Sequence, residues 1–210
     1  MRRLPDRISF ILLFFLSILN FRSDAQEAIS VASQNKGFQI GLQTGLMGWY
    51  SESFNTNRDL GFAYGGHLNY GINYHWYLSL QLTGGKLDDA FPEYGPYPYF
   101  NADVLAGYLL GANTQQARPT VFAGINYSRN KQEIVTTGSN GEYVTAKLAG
   151  PGFTLGTGLR YYLQTKWYLA LQFAGTFGNF NQYYIDAIRQ EDENYTYFGY
   201  RVLLMTAYTF

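Results

Sequence analysis

His67 and His75 are the only imidazoles of this 210-residue chain, and it contains no cysteine. Nucleophilic catalysis would need one of the rings beside a nucleophile and an acid that orients it. Ser79 is the serine to weigh against His67, but it falls closer to a turn and no acid lines up with the pair. His75 falls within a turn. His67 therefore reads as an interior histidine satisfied by Asn or Tyr neighbours, as buried polar groups must be. The chain is not expected to be an enzyme, and no cofactor or metal is expected. Without cysteine there is no disulfide, no thiolate metal site and no lipoprotein anchor.

The elements that would position such groups are legible in the spacing of apolar residues, which is two rather than 3.6 in segment after segment. Leu60, Phe62, Tyr64, Gly66, Leu68, Tyr70, Ile72 and Tyr74 alternate with Gly61, Ala63, Gly65, His67, Asn69, Gly71 and Asn73. One face is large and apolar, the other small or polar. Phe153, Leu155, Leu159, Tyr161 and Leu163 likewise oppose Thr154, Gly156, Gly158, Arg160 and Tyr162, and Phe198, Tyr200, Val202, Leu204, Tyr208 and Phe210 share one face at the C-terminus. Weaker alternation over 37–49, 76–86, 99–110, 120–129 and 167–178 brings the count to eight strands. Leu105, Leu109 and Phe122 cut across it by falling on the polar face. Pro119 and Pro151 read as strand starts and Pro92, Pro96 and Pro98 as loop residues, which leaves no proline inside a strand.

Size decides which face points inward. The interior of an eight-stranded barrel is just wide enough for side chains to fill, and it cannot take Phe, Tyr, Leu and Trp from every strand. The small and polar face fits, so the large face points outward, where only lipid suits it. The expected fold is all-β, an eight-stranded antiparallel up-and-down transmembrane β-barrel. Tyr74, Trp76, Tyr77, Tyr161, Tyr162, Trp167 and Tyr168 sit beside expected turns and read as an aromatic girdle. Connections alternate short (near His75, 111–118, 164–166) and long (50–59, 87–98, 130–150, 179–195), as in barrels with both termini in the periplasm. Trp76-Tyr77-Leu78-Ser79-Leu80-Gln81 also echoes Trp167-Tyr168-Leu169-Ala170-Leu171-Gln172.

Before these strands, Arg2, Arg3 and Arg7 precede an apolar run over residues 8–19, with Ser23 and Ala25 suited to cleavage before Gln26. A run of twelve residues is too short for a spanning helix. The domain reading is a cleaved signal peptide at 1–25, a short periplasmic segment at 26–35 and the barrel at 36–210. Taking the four arginines and two aspartates of 1–25 from the 15 basic and 15 acidic residues leaves 11 and 13, a formal charge of −2 that recruits no nucleic acid.

At the C-terminus, Tyr200, Val202, Leu204, Tyr208 and the final Phe210 resemble the sorting signal of outer-membrane barrels. With that motif, the leader and the strands, residues 36–210 resemble the outer-membrane β-barrel domain family common in the Bacteroidetes, and Ala25-Gln26 resembles cleavage junctions of that phylum. The resemblance carries no catalytic motif. It implies a barrel integral to the cell outer membrane, with the barrel-assembly machinery, lipid and lipopolysaccharide as partners.

Inside such a barrel Asp103 and Arg201 would face each other, with His67 near their level and Arg160 lower, as a polar network that plugs the lumen. The expected role is surface interaction or envelope structure. A small-solute conduit or a lumenal or lipid-binding barrel is the alternative, and a soluble lipocalin-like barrel a third. An extracellular partner would be met by the long loops. One carries Asp88, Asp89, Pro92, Glu93, Tyr94, Pro96 and Tyr97. Another, Thr136-Thr137-Gly138-Ser139-Asn140-Gly141, reads as the tip of a tall hairpin. A third carries Asp186, Glu191, Asp192 and Glu193, acids that suit cations bridging lipopolysaccharide but lack calcium-loop spacing and read first as solvated.

Overall fold

Ten strands appear in the computed structural model, which describes residues 34–51, 59–88, 96–135, 143–186, 188–190 and 194–210. The leader at 1–25, most of 26–35 and the loop residues 52–58, 89–95, 136–142 and 191–193 lie outside the described residues. In chain order the strands are β1 (Gly37–Tyr50), β2 (Asp59–Gly71), β3 (Trp76–Asp88), β4 (Tyr97–Leu109), β5 (Ala117–Val135), β6 (Tyr143–Gln164), β7 (Trp167–Phe180), β8 (Gln182–Ile185), β9 (Ile188–Gln190) and β10 (Tyr195–Thr209). Neighbours in sequence pair antiparallel from β1 to β7, β10 pairs with both β7 and β1, and the eight long strands close on themselves. Closure leaves no free edge among them. The short β8 continues the course of β7 along β6, and β9 folds back on it.

The large apolar face points outward on every long strand. Leu42, Phe62, Tyr64, Leu80, Val104, Ile125, Leu155, Phe173 and Leu204 are exposed, whereas Gln43, His67, Gln81, Asp103, Asn126, Thr154, Gln172 and Arg201 are buried. Leu105, Leu109 and Phe122 do lie inside, and Leu105 and Phe122 pack there with Ala174.

The girdle needs correcting. Tyr77, Tyr162 and Tyr168 are buried in the lumen, while Tyr74, Trp76, Tyr161 and Trp167 stay outside. Each inward ring follows or precedes an outward aromatic, and adjacent strand residues must point to opposite faces. The connection placed at 130–150 is mostly strand, since β5 and β6 stay paired up to Val135↔Tyr143.

Proline placement also differs, because Pro98 and Pro119 lie just inside β4 and β5 and Pro151 lies within β6. Pro151 is tolerated because its strand meets an irregularity there. The register Gly152↔Gly178 gives way to Ala149↔Gln182, so the β7–β8 side carries one extra residue opposite Gly150 and Pro151. Such a bulge is where a missing N–H does least harm.

Inward glycines let rings lie flat against the wall. A Cβ at Gly107 would collide with the Tyr77 ring. Gly107→Leu is therefore expected to cost ~1–3 kcal/mol as an overpacking change, read as a lower urea midpoint for the barrel folded in lipid vesicles.

Candidate functional site

The lumen is where the chain concentrates its buried polar and charged side chains. Its lower floor is made by Arg118, which the sequence reading leaves in a connection but which is the second residue of β5 and fully buried. Its guanidinium donates to the backbone carbonyls of Tyr74 (2.8 Å), Leu109 (3.3 Å), Leu110 (3.3 Å) and Gly111 (3.2 Å). One side chain thus ties the turn after β2 to the turn after β4.

Above it, Arg160 lies between the rings of Tyr77 (4.0 Å) and Tyr168 (4.8 Å) and donates to Asn35 Oδ1 at 3.1 Å. Cation–π contact on two faces suits a guanidinium that is out of water. Asn35 is itself buried at the head of β1, and its amide donates to Asn73 O at 2.8 Å. His67 joins this lower group rather than the Asp103 group. Its Nε2 is 3.5 Å from Tyr168 Oη, and its Nδ1 has no hydrogen-bond partner.

In the next group Gln81 and Gln172 exchange amide hydrogen bonds, both 3.3 Å. β3 and β7 are four strands apart in a ring of eight, so they stand on opposite walls. The echoed segments at 76–81 and 167–172 therefore face each other: Tyr77 and Tyr168 flank Arg160, and Gln81 meets Gln172. That repetition was the available signal for the contacts.

Asp103 and Arg201 do meet. Nη1 and Nη2 of Arg201 donate to the two carboxylate oxygens at 2.5 and 2.9 Å. Asn126 Nδ2 and Thr154 Oγ1 each donate to Asp103 Oδ1 at 2.8 Å. Bidentate geometry with these extra donors is what a desolvated ion pair requires.

Toward the long-loop end the lumen turns aromatic. Trp49 Nε1 donates to Tyr97 Oη, which donates to Asp59. Phe180 packs edge-on to Trp49 at 5.4 Å and stacks on Tyr197 at 4.1 Å. None of Asp59, Tyr97 and Trp49 stands out as an interior group in the sequence, since Asp59 and Tyr97 sit at the ends of expected loops.

Catalytic geometry does not assemble around these groups. Ser79 pairs in register with Asn69, two positions from His67, and its Oγ accepts from Gln81 Nε2 at 3.3 Å. The Asp103 carboxylate faces Arg201. Among the described residues no three His, Asp or Glu side chains gather to hold a metal. The motif residues Val202, Leu204 and Phe210 are exposed on the outer face of the last strand or just past its end, and Tyr200 and Tyr208 are partly exposed on that face.

A closed eight-stranded wall with an apolar outside and a polar inside matches a known family. The profile of the outer membrane protein β-barrel domain covers residues 9–204. The chain belongs to that family. Solved barrels give the same fold. Neisserial surface protein A aligns with a TM-score of 0.60 at 14% identity, over 83% of this chain and 98% of its own. A major outer membrane protein from Thermus thermophilus aligns at 0.55 and 11% identity, over 82% and 99%. The N-terminal β-barrel domain of Pseudomonas aeruginosa OprF aligns at 0.50 and 16% identity, over 82% and 97%. No curated protein matches the sequence. Membership places the barrel in an outer membrane, where short turns face the periplasm and long connections the outside.

Proposed function

We propose that this outer-membrane barrel is closed to solutes, has no catalytic role, and acts through its external surface in surface interaction or envelope structure. The observation that supports the reading is side-chain contact across the lumen, as between Gln81 and Gln172 on opposite walls. The space left among Asn69, Tyr77, Gln81, Arg160 and Tyr168 is about 10 Å³, at or below what one water needs. Above it the Asp103–Arg201 pair and the Trp49–Tyr97 cluster cross the same interior. Cleavage after Ala25, assembly through the C-terminal Tyr200, Val202, Leu204, Tyr208 and Phe210, contact with lipopolysaccharide and a Bacteroidetes source belong to the same reading.

Planar-bilayer recording of the refolded barrel tests it. No steady openings above the bare bilayer are expected. Large steady openings would overturn the closed lumen and favour the alternative, a small-solute conduit.

A further inference from the structure

On the outer wall, apolar cover gives way to cations at one place. Along β5 the outward side chains run Val121, Ile125 and Tyr127, all exposed, and then Arg129 and Lys131. Along β6 they run Leu163, Tyr161, Leu159, Leu155, Phe153 and Pro151, and then Ala149 and Lys147. At ~3.3 Å per residue and ~40° of tilt, twelve residues from Leu163 to Pro151 rise ~30 Å, slightly more than the ~25 Å apolar band. Tyr127, paired with Pro151, therefore marks the outer rim of the hydrocarbon. Arg129 lies ~5 Å above it and Lys131 and Lys147 ~10 Å above, at the depth and outer margin of a headgroup layer ~5–8 Å thick.

Among the described residues no carboxylate forms an ion pair with these cations. Lys131 and Lys147 are directly opposed across β5 and β6, a like-charge pairing that destabilises a sheet. The row continues through Tyr184 on β8 to Arg189 on β9, on the same face. The nearby Asp186 accepts from the backbone N–H of Thr145 at 2.9 Å.

Below this row the wall is indented. Ala149 lies between Arg129 on one neighbouring strand and Gln182 on the other, so a methyl group forms the floor between long side chains. The crevice has a volume of about 380 Å³ and is lined by Tyr127, Arg129, Lys147, Ala149, Gln182 and Tyr184. Tyr127 Oη donates to Gln182 Oε1 at 3.3 Å across its lower edge.

We propose that this crevice, with Arg129, Lys131 and Lys147 around it, holds the phosphate-bearing headgroup of an anionic lipid of the outer leaflet. The acyl chains lie on the apolar face of β5 and β6 below, and the phosphate relieves the Lys131–Lys147 repulsion.

The test uses the full mature barrel in phosphatidylcholine nanodiscs doped with diphosphorylated lipid A or with its dephosphorylated form, and reads lipid retained by native mass spectrometry. Wild-type protein should retain the phosphorylated form at least about tenfold better, because each of the three cations attracts a charged headgroup. Arg129→Gln/Lys147→Gln should lose that preference while its band still shifts on boiling. Lys131→Glu, which gives Lys147 a partner across the strands, should lose it too. Equal retention of the two lipids by wild type, or an undiminished preference in the folded variants, overturns the proposal. So does inorganic phosphate that displaces the lipid at millimolar concentration, since the occupant would then be a free anion.

Discussion

Replacing Asp103 by alanine is expected to lower the stability of the folded barrel by ~3–5 kcal/mol, the cost of leaving a buried charge unpaired. Arg201 is 3% exposed and, among the described residues, would keep one side-chain hydrogen bond, at 3.4 Å to Thr176 Oγ1. Asn126 and Thr154 would lose their common acceptor as well. Removing both charges, as Asp103→Ala/Arg201→Met, should recover most of the loss, because the guanidinium needing a partner goes too. Urea titration in lipid vesicles, followed by the fraction that keeps its unboiled gel mobility, measures both. A single variant within about 1 kcal/mol of wild type would mean that the pair is solvated and of the surface kind.

Leu42→Lys should have the next largest effect, and its sign separates a lipid-facing wall from a watery one. Leu42 is 70% exposed in the middle of β1. In a bilayer a lysine at that depth costs ~2–4 kcal/mol, whereas near the interface the penalty falls to ~0–1 kcal/mol. Phe38→Lys, near the periplasmic end of the same strand and on the same face, is the graded comparison. A barrel in water would tolerate or gain from both changes. Depth-dependent loss, read from refolding yield and urea midpoint in vesicles, is the expected outcome.

The wall is legible in the sequence because β2, β6 and β10 face two unlike surroundings and their residues record the contrast at every second position. Above Arg129 and Lys147 the contrast is lost, since Lys131 makes the outward face polar while the inward face mixes Asn130 and Gln132 with Ala146, and the upper hairpin consequently reads as loop. The inward rings escape for a different reason. Nearness to turns groups Trp76-Tyr77, Tyr161-Tyr162 and Trp167-Tyr168 together, although period two sends one member of each pair inside. Arg118 escapes through a strand boundary set three residues late, at 120 where β5 begins at Ala117, and its parity with Thr120 and Phe122 is the clue. Opposite charges at inward positions make Asp103 and Arg201 readable, but Asp59, Tyr97 and Trp49 come together only once the strands are staggered, which no single segment records.

The wall closes where β1 meets β10, so its last seam joins the first and last strands of the barrel. Thr209 Oγ1 donates to Gln34 O across 175 residues of sequence, and Gln39 pairs with Thr209. Every other join between long strands is made by neighbours that emerge one after the other, save β7 with β10, which are separated only by the short β8 and β9. Contacts between such distant partners form slowly. A nascent sheet must therefore carry two open borders until its final residues arrive, and whatever shelters those borders governs how often the ring is completed.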